Sequence, residues 1–278
     1  MRRTSFNGLA GVAIAWLILV IALALFAPLI AASPQDIDLA QRLVGPGSRH
    51  LMGTDELGRD VLARLIHGAR VSLLVGIVAA GLSLFLGGLL GAIAGYYGGV
   101  ADWLISRLIE VVLCFPFIFL VLGIVALFRP SIVTLVIALG VSSWTTEARF
   151  VRGELLRVRE TEFALAARAI GATDGRIIVR HLLPNAIAPA IISSTFGVAT
   201  AILTESALSF LGLGVPLPTP SWGNIVSGAQ EHIDYAWWLI AFPGFVIFAT
   251  AASFNILGDR LRDVLDPRSV TSAGSIEP

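Results

Sequence analysis

The chain has 278 residues, of which 56% are hydrophobic and only 14% charged, and its 19 basic and 19 acidic side chains leave no net charge. A water-soluble domain carries roughly 25% charged residues, so this composition excludes an ordinary soluble protein and points to a membrane protein. Lysine is absent; a P-loop nucleotide site needs the lysine of G-x-x-x-x-G-K-[ST], so that site is excluded from this chain and any ATP hydrolysis must belong to a partner.

Crossing a bilayer of about 30 Å takes roughly 20 apolar residues. Suitable runs lie near 9–32, 71–96, 104–128, 131–150, 186–212 and 237–258, which predicts six spanning helices and an all-α fold. Helices are required because backbone groups in lipid must bond within their own segment, and no alternating barrel pattern is present. The first run follows Arg2 and Arg3 as a signal peptide would, but it is longer than the usual roughly 7–15 apolar residues. Its best small-residue site, Ala31-Ala32-Ser33, is followed by Pro34. A retained helix is predicted.

Residues 33–69 hold Pro34, Gly45, Pro46, Gly47, five acids and four arginines, the signature of a soluble outer lobe. Within it, Leu57, Val61, Arg64 and Leu65 have the spacing of a surface helix lying at the interface before the chain turns into the second crossing. It either frames a docking surface or braces a partner. Gly81, Gly87, Gly88, Gly91 and Gly95 slim the second crossing for close helix packing. Cys114 stands alone within the third and reads as a small core hydrophobe. His50, His67, His181 and His232 lack metal-ligand spacing, and no nucleophile or metalloprotease motif is present. Glu110 and Glu147 lie close to Arg107 and Arg149, which suggests simple ion pairs.

The polar stretch at 149–185 is the most informative. Phe163, Ala166, Ala167 and Ile170 fall at i, i+3, i+4 and i+7, on one face of a two-turn helix. Gly171 suits a left-handed C-terminal position, and Thr173 or Asp174 offers an N-cap for a second helix ending near Pro184. A two-turn helix is marginal in water, so its small apolar face is expected either in a groove of another protein or against the membrane surface. Farther on, Gly212, Gly214, Pro216, Pro218 and Pro220 break the fifth crossing. Positions 222–230 can form a short helix dipping toward the mouth, with Trp222, Trp237 and Trp238 as interfacial anchors. Glu205, alone among acids deep in the fifth crossing, either lines a pathway or outer gate or makes a structural hydrogen bond.

Orientation follows from arginine. An inner amino terminus puts Arg2, Arg3, Arg107, the seven arginines between 149 and 180, and Arg260, Arg262 and Arg268 inside, thirteen against six outside. Both termini are then cytoplasmic. The expected divisions are a tail and first helix (1–32), an outer segment (33–70), a five-helix core (71–258) containing the cytoplasmic loop 151–185, and a C-terminal tail (259–278).

At Ala166-Ala167, Gly171 and Leu183-Pro184-Asn185 the chain resembles the E-A-A…G…I-x-LP signature of permease subunits of bacterial ABC importers, with Leu165 where that family usually has Glu. Gly53-Thr-Asp-Glu-Leu-Gly-Arg-Asp60 with Arg64, Gly68, Arg70 and Ser72, Ala207-Leu-Ser-Phe-Leu-Gly-Leu-Gly214, Pro220-Ser-Trp-Gly223, and Asn255-Ile-Leu-Gly-Asp259 through Leu265-Asp-Pro-Arg268 are similar to the C-type permease of dipeptide, oligopeptide and nickel importers. The resemblance implies the transmembrane fold of a type I ABC importer in the bacterial inner membrane. It implies a coupling helix in which Phe163, Ala166, Ala167, Ile170, Gly171, Leu183 and Pro184 meet an ATPase subunit, and a periplasmic cap around Trp222. Implied partners are a second, homologous permease in a heterodimer, two ATP-binding subunits that hold ATP and Mg, an extracytoplasmic substrate-binding protein and lipid, with no nucleic acid. Nickel or glutathione cargo is an alternative to peptides. A secondary transporter would instead show inverted repeats, broken helices or proton relays, none of which is convincing here.

Overall fold

The computed structural model describes residues 2–265. Asp266, Pro267 and Arg268 of the last resembling block, with the rest of the expected tail, lie outside the described residues. Apart from one isolated bridge, Thr54 to Asp60, the described residues form helices and loops without strands.

Helix α1 (Arg2–Ile30) packs on two later helices, α2 (Val61–Tyr97) and α11 (Trp238–Leu265), and Trp16 Nε1 donates to Thr250 Oγ1 at 3.1 Å. Between α1 and α2 a lobe of loops folds around Thr54 and Asp55. Val44 N–H donates to Thr54 Oγ1 at 2.8 Å, and Trp238 Nε1 to Thr54 O at 3.1 Å, which ties the lobe to the start of α11. Gly53 adopts φ 76°, and a Cβ there would meet Trp238 Nε1 at 2.7 Å, so both conformation and space require glycine.

The chain does not turn at Arg70. Asp60 caps α2 by accepting from Ala63 N–H, and the helix then runs for 37 residues without interruption. At 1.5 Å per residue that is about 55 Å, well beyond the hydrocarbon thickness. The expected interfacial helix is therefore the outer end of α2, where Val61, Arg64 and Leu65 are buried rather than laid on a surface.

The third run is broken. Helices α3 (Gly99–Leu113) and α4 (Phe117–Leu127) meet at 88°, because Pro116 has no N–H to continue the ladder. Cys114 consequently sits exposed at the break and not in a core. By length and composition four helices can cross a membrane, namely α1 from Gly8, α2, α9 (Ala188–Phe210) and α11, or five if the bent pair is one span. The fifth helix in chain order, α5 (Ile132–Val158), is 27 residues long but not among them, since its inner half carries Glu147, Arg149, Arg152, Glu154 and Arg157. Six apolar spans were expected; α5 falls short because it packs between α2 and α9 with Ser142, Thr145 and Glu147 buried against protein, while Arg149 and Arg157 remain exposed.

Close approach of α2 to α5 depends on three glycines at four-residue spacing. A Cβ on Gly87 would meet Glu147 Cβ at 2.6 Å, on Gly91 the Ala148 carbonyl oxygen at 2.5 Å, and on Gly95 Leu155 Cβ at 2.7 Å. Gly81 and Gly88 face open space and take no part. Gly91→Ala should push the two backbones apart at a cost of about 2 kcal/mol. That corresponds to a fall of about 5 °C in the detergent melting temperature, whereas Gly88→Ala, read in the same thermal scan, should not lower it.

Candidate functional site

Helix α6 (Glu162–Ala169) hangs between α5 and a helical return made of α7 (Asp174–Arg176), a π-helical stretch (Ile177–Leu182) and α8 (Leu183–Ala186). Its C-terminus closes as the spacing predicts. Gly171 takes φ 79°, its N–H donates to Arg168 O at 3.0 Å, and Ala172 N–H donates to Ala167 O at 3.1 Å, a Schellman motif. The return widens into π geometry just before Pro184, which has no N–H and whose ring would clash with a carbonyl one turn back. Asn185 Nδ2 donates to His181 O at 2.7 Å in partial compensation.

The four residues expected on one face divide in two. Ala167 is only 6% exposed and joins Ala164 in a cluster with Tyr96, Val151, Leu155, Ile177 and Leu182 of this same chain. Phe163, Ala166 and Ile170 remain outside, with Ile170 84% exposed. Heptad-like spacing could not separate these two sets because Ala167 lies at the edge of the stripe, next to the fold's own core. Beside the stripe lies a groove of about 320 Å³ lined by Ile170, Gly171, Ala172, Arg176, Arg180 and His181, apolar at one end and cationic at the other. Leu183 is half-buried and Pro184 exposed.

Three contacts invisible in the sequence anchor this loop to the C-terminal end of α2. Tyr96 Oη donates to Asp174 Oδ1 at 2.7 Å, and the Arg168 guanidinium stands 5.2 Å over the Tyr96 ring. Arg159 Nη1 donates to Gly95 O at 3.0 Å. Arg152 forks onto Asp102 of α3 through Nε and Nη2. The loop is thus fastened to α2 and α3 as well as continuous with α5 and α9.

At the opposite end of the bundle, Glu205 is fully buried. Its Oε1 accepts from Ser209 Oγ at 2.7 Å and Ser221 Oγ at 2.8 Å, and its Oε2 accepts from Ser72 Oγ at 3.2 Å. Ser221 also caps α10 (Trp222–Ser227) in a capping box with Asn224. Trp222 is buried completely, its backbone N–H donating to Ser72 Oγ and its Nε1 to Leu65 O, each at 3.1 Å. Neither residue is among those lining the described cavities, and the hydrogen bonds expected of a structural Glu205 are present. Trp222 and Trp238 belong to the core, and only Trp237, 57% exposed, has the exposure of an interfacial anchor. Nearby, Asp55 accepts from Arg59 Nε at 2.7 Å and from Arg64 Nη1, a buried cluster that clamps the lobe to α2.

Midway along the bundle, α2, α5, α9 and the α3–α4 elbow enclose a cavity of about 330 Å³. Ser83, Ser142, Ser143, Thr146, Ser193 and Thr200 line it around Glu147. Glu147 does not pair with Arg149. It is 4% exposed, its Oε2 accepting from Ser83 Oγ at 3.0 Å and its Oε1 from Ser193 Oγ at 3.4 Å. Glu110 does pair with Arg107, as expected. The sequence signal for the cavity was the run of hydroxyl residues, Ser142, Ser143, Thr145 and Thr146, inside an otherwise apolar segment.

Residues 87–270 match the family described as binding-protein-dependent transport system inner membrane component. The chain is 45% identical over 249 residues to a dipeptide transport system permease protein of Alkalihalophilus pseudofirmus, covering 89% of this chain and 82% of that one. It is 36% identical to an oligopeptide transport system permease protein of Bacillus subtilis, covering 96% and 88%. Among solved structures it is similar to an inward-facing methionine ABC transporter, MetNI, with a TM-score of 0.58 at 21% identity, covering 73% of this chain and 97% of that one. That likeness concerns the fold alone.

Proposed function

The chain belongs to the binding-protein-dependent transport system inner membrane components, and we propose that it forms one half of the pathway through which an ATP-driven importer carries dipeptides or oligopeptides across a bacterial inner membrane. It is a multi-pass permease subunit of a peptide ABC importer. The other half is a second, homologous permease, and both termini are cytoplasmic. Two motor subunits hold ATP and Mg and hydrolyse the nucleotide, since this chain has no lysine for a P-loop. An extracytoplasmic binding protein delivers cargo.

The observation that carries the reading is the bare apolar stripe of Phe163, Ala166 and Ile170 on a helix whose opposite side is already held by its own chain. Such a stripe, flanked by the cationic groove at Arg176 and Arg180, suits a cleft with apolar floor and acidic rim on a motor subunit. Gly171 sets the direction of the return, and Leu183 and Pro184 carry the motion into α9. When ATP draws the motors together, α6 moves with its cleft. The Tyr96 and Arg159 contacts then pull on α2 while the return helix pulls on α9, so the bundle tilts as a unit. Cargo or ATP biases this cycle only by binding its two states unequally.

The reading is tested by reconstitution: uptake of a labelled dipeptide should require the motors, the second permease and the binding protein. Uptake by this chain alone in liposomes would refute it. Tyr96→Phe should remove one hydrogen bond, worth about 1 kcal/mol. The expected result is faster tryptic cleavage at Arg168 and Arg176 and a lower ratio of peptide imported to ATP hydrolysed, with insertion unchanged.

A further inference from the structure

Glu147 and Glu205 are both buried acids held by serine hydroxyls, yet their surroundings differ in a way that separates their roles. Glu205 is enclosed by its own chain and accepts from three serines. Glu147 borders the cavity and accepts from two, one of them at 3.4 Å. A carboxylate offers about four lone-pair sites, so Glu147 keeps unused acceptor capacity at the wall of the cavity. It is the single ionisable group among the residues lining that cavity, and among the described residues no arginine or histidine forms an ion pair with it.

Ser142 supplies a second, independent sign. The residue is among those lining the same cavity, it is 7% exposed, and its buried Oγ has no hydrogen-bond partner. Buried polar groups are ordinarily satisfied, and an orphaned one beside a cavity points to an occupant. Thr146 and Thr200, both exposed, stand at the mouth, so the site opens toward whatever completes it.

We propose that this cavity is a cargo subsite in which Glu147 receives an ammonium group and the Ser142 hydroxyl donates to a neighbouring carbonyl oxygen. The ligand class is a primary ammonium within about two bonds of a carbonyl, as at the amino end of a peptide. The inference rests on the reading of the chain as a peptide permease. Ser83 and Ser193 hold the carboxylate in place, and the carboxylate replaces the water that the ammonium loses on leaving the outer solvent.

The test uses the assembled importer with Cys114→Ser as background. The thiol of Thr146→Cys, at the exposed mouth of the cavity, is titrated with a trimethylammonium and with a sulfonate methanethiosulfonate, each rate normalised to a free thiol in water. With Glu147 present the cationic reagent should win by about tenfold, and Glu147→Gln should bring the ratio near one. A ratio near one with Glu147 intact, or one that Glu147→Gln leaves unchanged, overturns the proposal. In the same complexes Glu147→Gln should lower uptake of labelled Ala-Ala by about tenfold while subunit assembly and ATPase stimulation by the loaded binding protein persist. Unaltered uptake also overturns it. Motor-independent uptake by the parent complex would sink the permease reading, while the thiol ratio still judges the subsite.

Discussion

Ile170→Glu is expected to detach the motor subunits while leaving the permease inserted and folded. Ile170 is 84% exposed, so a carboxylate there costs this chain nothing when it stands alone. In a complex the same group would be forced into an apolar cleft without a partner, and a desolvated, unpaired charge costs several kcal/mol. Even about 3 kcal/mol corresponds to a loss of over 100-fold in affinity. Co-purification of the ATPase and dipeptide uptake should both disappear, and the melting temperature of the isolated permease should stay. Ala167→Arg provides the contrast. Ala167 is packed against Leu155 and Leu182, so the long cation must break the loop's own core before any partner is met. That variant should lose stability as well as transport. If Ile170→Glu retains its motors and imports normally, α6 is not the coupling surface.

Glu205→Ala should be the most damaging substitution at the α9–α10 end of the bundle. It strands the hydroxyls of Ser72, Ser209 and Ser221 around a new void, where each unpaired buried group costs about 1–3 kcal/mol. The void adds to this. A total above about 4 kcal/mol should appear as low yield and a melting temperature lowered by about 10 °C. Glu205→Gln keeps the shape and one carbonyl acceptor, and serine hydroxyls can rotate to meet it. It should lose about 1 kcal/mol and import normally per assembled complex. A well-folded Glu205→Gln complex that hydrolyses ATP but imports nothing would restore the gate.

These two outcomes mark where reading the residues in order succeeds and where it stops. The apolar runs, the absence of lysine, the left-handed turn at Gly171, the short helix following Pro220 and the close packing at Gly87, Gly91 and Gly95 all follow from local composition and spacing, because backbone geometry and bilayer thickness act on neighbours in sequence. The membrane-protein class, the helical fold and the family resemblance were accordingly legible. The number of apolar spans was not. Hydropathy assumes that polarity excludes burial, yet α5 buries Ser142, Thr145 and Glu147 in a helix packed against α2 and α9.

Side-chain partners lay further out of reach. Trp222 meets Leu65 across 157 positions, Trp238 meets Thr54 across 184, and Glu147 meets Ser83 across 64. Periodicity places a residue on a helix face but does not say which neighbour covers that face. The sequence by itself therefore determined a lipid-embedded helical chain with a polar loop and no lysine for a P-loop. Only the tertiary structure decided that Ala167 turns inward while Ile170 stays bare, that Glu205 is locked, and that Glu147 opens on a cavity. Each of those outcomes depends on desolvation by a residue distant in the chain, and desolvation exists only once the helices have packed.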